Sequence, residues 1–570
     1  MRRILLRVIG LSAGVVAAAT MWVAMTLPPA ALHPAIPQAP GTLVSGAFHV
    51  HSDRSDGSGS VEAIALAAAR AGLQFVILTD HGDATRPPDP PVYRHGVLCI
   101  DAVEISSVAG HIVALNLQNA APYPLGGEGR DVIEDIHRQG GWAVAAHPDS
   151  PRSDLRWRGG SLPIDGIEWL NVDTEYRRSL GLPLAVSVAR AWFRGPETIA
   201  SLFQPDSGGL ERWDMTLRAH QTFAIAAVDA HARMGEDKND ARQSRALALS
   251  LPSYETMFRT VVQTVALERP LDPNATDAAA DARLLLDAIR DGRSFSVVRA
   301  YVDALGAMEF SATSGSERVD FGGVLGSAGP ITVRAAVPAA TGGRVVILKD
   351  GREATSGEPQ AEVAFAGPGV YRAEVRLPNR GVPWMVSNAI RVGPAPPSVR
   401  FAPPPPPPAP PSRTSPSTTP IALDSWTIEK HPSTQASIIV AGDSLRLRYQ
   451  LGGGAASGQY VALATAATGE RAIQTIAFTA SSAQPMRLSV QIRMPGGADG
   501  RRWRKSVYVD QTPRLFIIHL ADLESVDRSS PARPVTSRVQ SILLVIDTIN
   551  AKPGSSGEVV LRDTGFYRAK

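Results

Sequence analysis

The chain has 570 residues, too many for one compact core, so we expect three or more domains. Its apolar content of 44% and charged content of 19% are typical of a globular protein. With 57 basic and 54 acidic residues, the net charge of +3 gives no basic footprint for nucleic acid. The single cysteine, Cys99, excludes an intramolecular disulfide and lies in an apolar run, which predicts a buried thiol.

The N-terminus carries a targeting pattern. Three of the first seven residues are arginine, and Val8–Leu27 is a stretch of 20 residues without a charge. A helix of that length can span a bilayer, so we expect residues 1–27 to anchor the protein in a membrane. A cleaved signal peptide is the alternative, although its apolar region is usually only about 7–15 residues long. Both alternatives predict that the rest of the chain is periplasmic or extracellular.

Strand-like and helix-like patterns alternate between residues 45 and 300, after a Pro/Ala-rich linker at 28–44. The strand-like runs include "GAFHVH", "QFVILTDH" and "WAVAAHP". The helix-like runs include "SVEAIALAAARAG" and "DVIEDIHRQGG". This alternation predicts an α/β domain with a parallel sheet or barrel.

The C-terminal half has a different character. Residues 301–393 contain short strands with Gly/Pro turns, which predict a small β-sandwich. Residues 394–420 include "APPPPPPAPP" and predict an extended linker. Residues 421–570 predict a second sandwich, a jelly roll whose last segment resembles galactose-binding-like or carbohydrate-binding domains. That resemblance implies a sugar site on exposed aromatic residues, with a pure packing role as the alternative. The candidates are Trp426, Trp503, Tyr449, Tyr460 and Tyr508.

Histidines and carboxylates stand where the apolar strands of residues 45–300 end. His49 and His51 end the first strand, and residues i and i+2 of a strand point to the same face. Later strands end in the same way, with Asp80, His81, Glu104, His147, Asp229 and His231. This rim is where α/β barrels build their active sites. Imidazoles and carboxylates that converge there need a cation, and Zn, Mn or Fe suits such ligands.

Six motifs in residues 45–300 resemble the polymerase and histidinol phosphatase (PHP) superfamily. In chain order they are "HVHSDRSDGS", "ILTDHGD", "VEIS", "HIVALN", "AHPD" and "VDAH". The resemblance implies a distorted seven-stranded β/α barrel, a (β/α)7 fold, with two or three divalent metal ions at the strand ends. A barrel followed by a sandwich tail that ends in "VPWMVSNAIRV" is similar to the exported branch, which includes carbaryl-hydrolase-like proteins.

The resemblance implies metal-ligand roles at nine positions. The first site would use His49, His51, Glu104 and Asp229. The second would use Glu104, His111 and His147, with Glu104 bridging. The third would use Asp56, His81 and His231. Outside this set, we interpret Glu168 as structural, His95 as a loop residue and His137 as a helix-face residue.

The metal site predicts a hydrolytic mechanism. Two ions about 3.5–4 Å apart lower the pKa of a bridging water to near 7, and the hydroxide can attack phosphorus. Arg152, five residues after His147, is predicted to hold the phosphate, because a guanidinium matches phosphate geometry; an ordinary surface role is the alternative. Arg152 and His231 are therefore the candidate catalytic residues. Weaker candidates for substrate binding are Arg54, Arg86 and Arg233.

Three hypotheses about function follow. The leading one is a metal-dependent phosphoesterase that hydrolyses a small phosphate ester outside the cytoplasm, with no nucleic-acid partner. The second is a carbamate or carboxylic ester hydrolase on the same metals, because a hydroxide can equally attack a carbonyl carbon. The third is a non-catalytic cell-surface binding protein.

Overall fold

The computed structural model divides the chain into two compact units. The first contains Met1–Gly82, Pro88–Gln118 and Gly140–Arg400, and the second contains Asp83–Pro87, Asn119–Gln139 and Phe401–Lys570. The structure describes residues 2–35, 41–178, 182–205, 208–232, 252–274, 277–302, 308–326, 329–394, 418–454, 458–467, 473–497, 500–527 and 533–568.

The helices and strands have the following bounds. The helices are α1 (Arg2–Met25), α2 (Val61–Arg70), α3 (Gly129–Arg138), α4 (Val172–Arg178), α5 (Leu182–Ala200), α6 (Gly209–Ala219), α7 (Tyr254–Phe258) and α8 (Ala279–Arg290). The strands up to residue 300 are β1 (Leu43–Val50), β2 (Phe75–Leu78), β3 (Val92–Arg94), β4 (Val97–Asp101), β5 (Val103–Ser107), β6 (Gly110–Leu115), β7 (Trp142–Ala145), β8 (Gly166–Asn171), β9 (Phe223–Ala227), β10 (Val262–Ala266) and β11 (Ser294–Val297).

The remaining strands belong to the two sandwiches. Those of the first unit are β12 (Glu309–Ser314), β13 (Glu317–Asp320), β14 (Val324–Leu325), β15 (Thr332–Ala336), β16 (Arg344–Lys349), β17 (Arg352–Gly357), β18 (Gln360–Val363), β19 (Gly369–Arg376), β20 (Met385–Ser387) and β21 (Ile390–Val392). Those of the second unit are β22 (Thr418–Pro420), β23 (Thr427–Lys430), β24 (Gln435–Ala441), β25 (Ser444–Gln450), β26 (Tyr460–Ala466), β27 (Ile473–Ser482), β28 (Met486–Arg493), β29 (Arg502–Val509), β30 (Arg514–His519), β31 (Glu524–Ser525), β32 (Ser541–Asp547) and β33 (Ser556–Arg568).

The segment predicted as an anchor or signal peptide forms α1. Within the described parts of the chain, no helix is long and apolar enough to cross a membrane. The residues after α1 are not a free spacer. The backbone N–H of Leu32 donates to the carbonyl of Tyr301 at 2.9 Å, and the guanidinium of Arg194 donates to the carbonyl of Pro28 at 2.6 Å.

The strands between residues 43 and 300 form two sheets, and a single closed seven-stranded barrel is not confirmed. One sheet contains the order β11-β10-β1-β2-β4-β3, and the other follows the chain from β5 to β9. The pairs β1–β2, β2–β4, β7–β8 and β8–β9 are parallel, whereas β1–β10, β5–β6 and β6–β7 are antiparallel. The mixed α/β class is thus confirmed. The wholly parallel expectation failed because antiparallel neighbours need only a short turn, such as the one between β5 and β6.

A hydrophobic core contains residues from both of these sheets. Most of its members are strand residues from both sheets, and helix α8 covers one side. The core includes Phe48, Phe75, Ile77, Leu98, Ile100, Val113, Leu115, Trp142, Val144, Phe223, Ile225, Val265, Leu285 and Ile289. Strands that are buried on both faces are apolar throughout, which explains the short uninterrupted runs in the sequence.

The small sandwich continues the first sheet of the α/β region. Strand β20 pairs with β11, so one sheet extends from β3 to β14. The buried guanidinium of Arg372 in β19 contacts both carboxylate oxygens of Asp214 in α6 at 2.7 and 2.8 Å. The small sandwich therefore packs on the α/β region.

The second unit is a β-sandwich. Its two sheets have the orders β24-β25-β33-β27-β30, with β22 on β33, and β23-β26-β32-β28-β29-β31. Three of the aromatic residues expected to bind sugar are instead buried in its core: Trp426, Trp503 and Tyr449. The ring centroid of Tyr508 lies 3.7 Å from the guanidinium carbon of Arg138. Tyr460 packs on a smaller apolar cluster. The packing role therefore fits these five residues better than a sugar site does.

Candidate metal centre

All nine predicted ligands lie in the first unit, and the structure brings their side chains together. They form four overlapping groups in which the possible ligand atoms lie within 4.8 Å of one another. The groups are His51–Asp56–His81–His231, His49–His147–Asp229, His49–His51–Glu104 and His81–Glu104–His111. We call these nine residues the cluster; its histidines and carboxylates could hold metal ions.

His49 in β1 and His51 just after it converge by a different route from the one predicted. The Nε2 atoms of His49 and His51 are 3.0 Å apart. His49, however, is the extra residue of a bulge against β2 and has a φ of +67°, while His51 follows the end of the strand. A bulge redirects side chains at a strand end, so simple alternation does not describe this pair.

Glu104 lies at the centre of the cluster, in β5. Its Oε1 atom is 2.7 Å from Nε2 of His147 and 2.8 Å from Nδ1 of His111. Its Oε2 atom is 3.1 Å from Nδ1 of His81 and 3.3 Å from Nε2 of both His49 and His51. Each oxygen of this carboxylate therefore faces a separate set of imidazoles.

The loop after β1 is held by residues outside the cluster. Asp80 does not belong to any ligand group; its carboxylate accepts hydrogen bonds from the backbone N–H of Ser52 at 2.8 Å and the hydroxyl of Ser55 at 2.6 Å. The hydroxyl of Tyr254 in α7 donates to the carbonyl of His51 at 2.8 Å. A Cβ on Gly57 would lie 2.1 Å from that same carbonyl oxygen, so glycine is required there by close approach.

This loop brings Asp56 to the outer part of the cluster. One carboxylate oxygen is 3.4 Å from Nδ1 of His51 and from Nε2 of His231, and the other is 3.5 Å from Nε2 of His81. The rings of His51 and His231 stack with centroids 4.3 Å apart. Side-chain exposure rises from 0% at His49 to 32% at Asp56, so the cluster opens to solvent at Asp56.

The donor atoms fit divalent metal ions. Metal–ligand bonds of about 2.1 Å put neighbouring ligands roughly 3.0–3.4 Å apart in octahedral or tetrahedral geometry. The Nε2 atom of His49 lies 3.0 Å from Nε2 of His51, 3.3 Å from Oε2 of Glu104 and 3.4 Å from Oδ1 of Asp229. The Nε2 atom of His51 lies 3.3 Å from each of the same two carboxylate oxygens. In addition, the buried Nδ1 of His147 has no hydrogen-bond partner among the described residues.

Charge coupling dominates the protonation of the inner cluster. Burial alone would raise the pKa of Glu104 and of Asp229, but His49 and the neighbouring imidazoles hold both pKa values well below the usual range. Burial opposes protonation of His49, yet Asp229, Glu168 and Glu104 raise its pKa well above the usual value. A proton on His49 would therefore compete with a metal ion for its ring nitrogen, whereas burial and the charge of His231 lower the pKa of His51.

The outer cluster shows the same coupling. Burial favours the neutral form of both His231 and Asp56, but the hydrogen bond between them and the neighbouring opposite charges together outweigh it. As a result, the pKa of His231 is raised to about 9, and the pKa of Asp56 is lowered.

Two residues that were not predicted to have a functional role contact the cluster. The Oε1 atom of Glu168 is 2.5 Å from Nδ1 of His49, and its Oε2 atom accepts from the backbone N–H of His147 at 2.6 Å. The side-chain amide of Asn171 donates to Glu168 at 2.8 Å and to Asp229 at 3.2 Å. The motif "DGIEWLN" carries both residues, but alternation puts positions three apart on opposite strand faces, so the sequence did not indicate their pairing.

The predicted substrate-binding arginines have other partners. The guanidinium of Arg152 is 2.7 Å from the carboxylate of Asp154, and its role in phosphate binding stays a prediction. Arg54 pairs with Asp89, the guanidinium of Arg86 donates to the carbonyl of Pro87 at 3.1 Å, and Arg233 lies outside the described residues. The interpretation of His95 as a loop residue is confirmed, since it pairs with Glu62 at 2.7 Å rather than with the cluster.

No family model matches the sequence. An uncharacterized protein of Methanocaldococcus jannaschii is 34% identical over 110 residues, which are 18% of this chain and 61% of that protein. The chain therefore covers less than two thirds of this relative.

Solved structures with partial similarity are of two kinds. One is a two-domain protein from Bacteroides vulgatus that contains a predicted PHP-like metal-dependent phosphoesterase. The two sequences are 14% identical, and the match covers 63% of this chain and 99% of that chain with a TM-score of 0.29. Another is the family 11 carbohydrate-binding module of a Clostridium thermocellum cellulase. The two sequences are 14% identical, and the match covers 25% of this chain and 88% of that chain with a TM-score of 0.20. Both TM-scores are below 0.5, so neither structure indicates the function of this chain.

Proposed function

We propose that this protein is a metal-dependent hydrolase of the PHP superfamily and that it cleaves phosphate esters. The observation that supports this most directly is Glu104, whose two oxygens face different sets of histidines. A carboxylate shared in this way is suited to bridge two metal ions. Pairs of metal ions about 3.5–4 Å apart are a common basis of phosphoester hydrolysis.

The proposal assigns ligands to two or three ions. The first would be held by His49, His51, Glu104 and Asp229, the second by Glu104, His111 and His147, and the third by Asp56, His81 and His231. Nitrogen and carboxylate donors without thiolate suit Mn, Zn or Fe.

Bound divalent ions would supply an activated water and neutralise the charge of an anionic substrate. The protein itself determines the shape of the site and its access to solvent. The burial of His49 and Glu104 keeps bulk water from the inner cluster, whereas the part-exposed Asp56 and His81 line its open side. We infer that the phosphate group approaches from this open side.

A carbamate or carboxylic ester is the second candidate substrate. Its carbonyl group is neutral and needs no guanidinium to bind it. The guanidinium of Arg152, the predicted phosphate ligand, forms an ion pair with the carboxylate of Asp154. This ion pair is the observation that favours the second candidate.

We also propose that the reaction takes place outside the cytoplasm. The support is the pattern of the first 27 residues, a basic start followed by 20 residues without a charge. Fractionation of cells that express the full chain, with an antibody to the second unit, checks this; recovery in the cytoplasm alone would contradict it.

The test of function is a substrate panel with added Mn or Zn, with and without chelator. The panel contains p-nitrophenyl phosphate, bis-p-nitrophenyl phosphate, p-nitrophenyl acetate and a naphthyl carbamate. We expect chelator-sensitive turnover of a phosphate compound. Turnover of only the acetate or carbamate would support the second candidate, and metal binding without any turnover would favour a binding protein.

Three variants connect the activity to the cluster. His49→Ala and Asp229→Ala each remove a proposed ligand of the first ion, so we expect the loss of most activity. His95→Ala is the control, because it removes an imidazole that contacts Glu62 instead of the cluster. Full activity of His49→Ala at saturating Mn would contradict the assignment.

A further inference from the structure

Glu168 contacts two cluster residues that come from different strands. From β8, its Oε1 atom reaches Nδ1 of His49 at the end of β1, at 2.5 Å. Its Oε2 atom accepts from the backbone N–H of His147, just after β7, at 2.6 Å. Both contacts are buried, and the side chain of Glu168 is fully enclosed. One carboxylate therefore joins two of the strand ends that carry the cluster.

A bulge in β8 extends this connection to a third residue. The register against β9 shifts between Glu168 and Leu170, so Trp169 is the extra residue. The shift brings Asn171 to the same side as Glu168, although three positions separate them. The Asn171 amide then donates to both Glu168 and Asp229, while its oxygen accepts from the N–H of Thr174 in the first turn of α4. Every polar group of the Asn171 side chain is used.

The residues tied together in this way share an unusual backbone. Of the nine cluster residues, His49, His147 and Asp229 have positive φ angles, of +67°, +29° and +50°. For residues other than glycine, this conformation is strained and persists only where the surroundings fix it. These are the same three residues that Glu168 and Asn171 contact.

We propose that Glu168 is the positioning residue of the metal centre, acting on His49 and His147 directly and on Asp229 through Asn171. An Nδ1–H of His49 that donates to Glu168 leaves Nε2 to face the metal, and such an outer hydrogen bond fixes both the ring and its tautomer. The inference rests on the proposed function, since it requires that the cluster binds metal. It assigns the strand "GIEWLN" a role in metal affinity rather than in packing alone.

The test measures metal affinity in the full chain with Glu168→Gln. Glutamine keeps the size of the side chain, but it loses the charge and cannot accept from both His49 and His147. We expect the affinity for Mn and Zn, measured by competition with a chelating dye, to fall roughly 10–100-fold. The visible absorption spectrum of the Co-loaded variant should change, because that spectrum reports the ligand geometry. Asn171→Ala, which leaves Glu168 in place, should give a smaller loss, and it serves as the test if Glu168→Gln does not fold.

Glu374→Gln is the matched control. Glu374 is as deeply buried as Glu168 and is paired with Arg372 in the small sandwich, away from every cluster contact. The control should lower the melting temperature and leave metal affinity and the Co spectrum unchanged. If Glu168→Gln, or Asn171→Ala in its place, binds metal like the wild type, the inference is wrong and the proposed function stands. If the wild type binds none of Mn, Zn or Co, both fail.

Discussion

At the scale of single residues, protonation and metal binding compete for the same atoms. The cluster combines carboxylates with lowered pKa values and imidazoles whose pKa values are mostly raised. In the absence of metal, the protonated imidazoles balance the buried negative charge. A metal ion must displace those protons, so its affinity should rise with pH.

The metal-free protein should become less stable at alkaline pH. The pKa of His231 is about 9 in the folded protein and about 6.5 in an unfolded chain. Its contribution is therefore complete below pH 6.5 and is lost as the pH rises through 9, by up to about 3 kcal/mol. Urea denaturation of chelator-treated protein between pH 6 and 9.5 measures this.

The matched variant for that titration is His231→Gln, which has no proton to lose. The difference in free energy of unfolding between wild type and variant should shrink as the pH rises. A difference that is constant across this range would contradict the raised pKa of His231.

The sequence predicts which residues belong to the cluster better than it predicts which residues hold them in position. Position at strand ends indicated seven of the nine side chains that the structure brings together, whereas Asp56 and His111 entered the set through the resemblance of the motifs. Glu168 was interpreted as structural because a glutamate inside an apolar strand carries no sign of the bulge beside it. Bulges depend on pairing with a neighbouring strand, which one strand's sequence does not contain.

At the scale of elements, the loop after β1 is closely packed. Asp80, Tyr254 and the absence of a side chain at Gly57 together fix the path from His51 to Asp56. Glycine is required at position 57 because the carbonyl of His51 and the hydroxyl of Tyr254 both approach it closely.

Gly57→Ala should therefore disturb the outer cluster. The added methyl would overlap the carbonyl of His51, and relief of such overpacking typically costs about 1–3 kcal/mol. We expect lower stability and weaker binding of the third ion proposed above for Asp56, His81 and His231, measured by thermal denaturation and metal titration. Gly41→Ala is the control, since its Cβ would meet only Pro270 at an ordinary 3.7 Å. Equal effects of the two substitutions would contradict this explanation.

At the scale of the whole molecule, the second unit gathers segments that are far apart in the sequence. Residues 119–139 belong to it together with Phe401–Lys570. The guanidinium of Arg487 in β28 contacts Asp135 twice at 2.8 Å and Asp131 at 3.1 Å. Arg487 could not be predicted as buried, because in "MRLSVQIRM" it alternates with apolar residues as a solvent-facing residue does.

Arg487→Met should strongly destabilise the second unit. Removing the guanidinium leaves the buried Asp131 and Asp135 carboxylates without their cation, which costs about 3–5 kcal/mol. Urea denaturation followed by tryptophan fluorescence measures the loss. Arg448→Met is the control, because Arg448 is 59% exposed and its pair with Glu558 should contribute less than about 1 kcal/mol. A loss below about 1 kcal/mol for Arg487→Met would show that the acidic residues find other partners.

The long separation in sequence between α3 and Arg487 has a consequence while the protein is being translated. The two are joined by contacts that span 352 residues. At about 5–20 residues per second, helix α3 leaves the ribosome roughly 20–70 s before its cation is made. During that interval its carboxylates have no Arg487 to bind, so the second unit can be completed only near the end of translation. A nascent chain that stops within the proline-rich linker would expose the acidic face of α3 to chaperones and proteases.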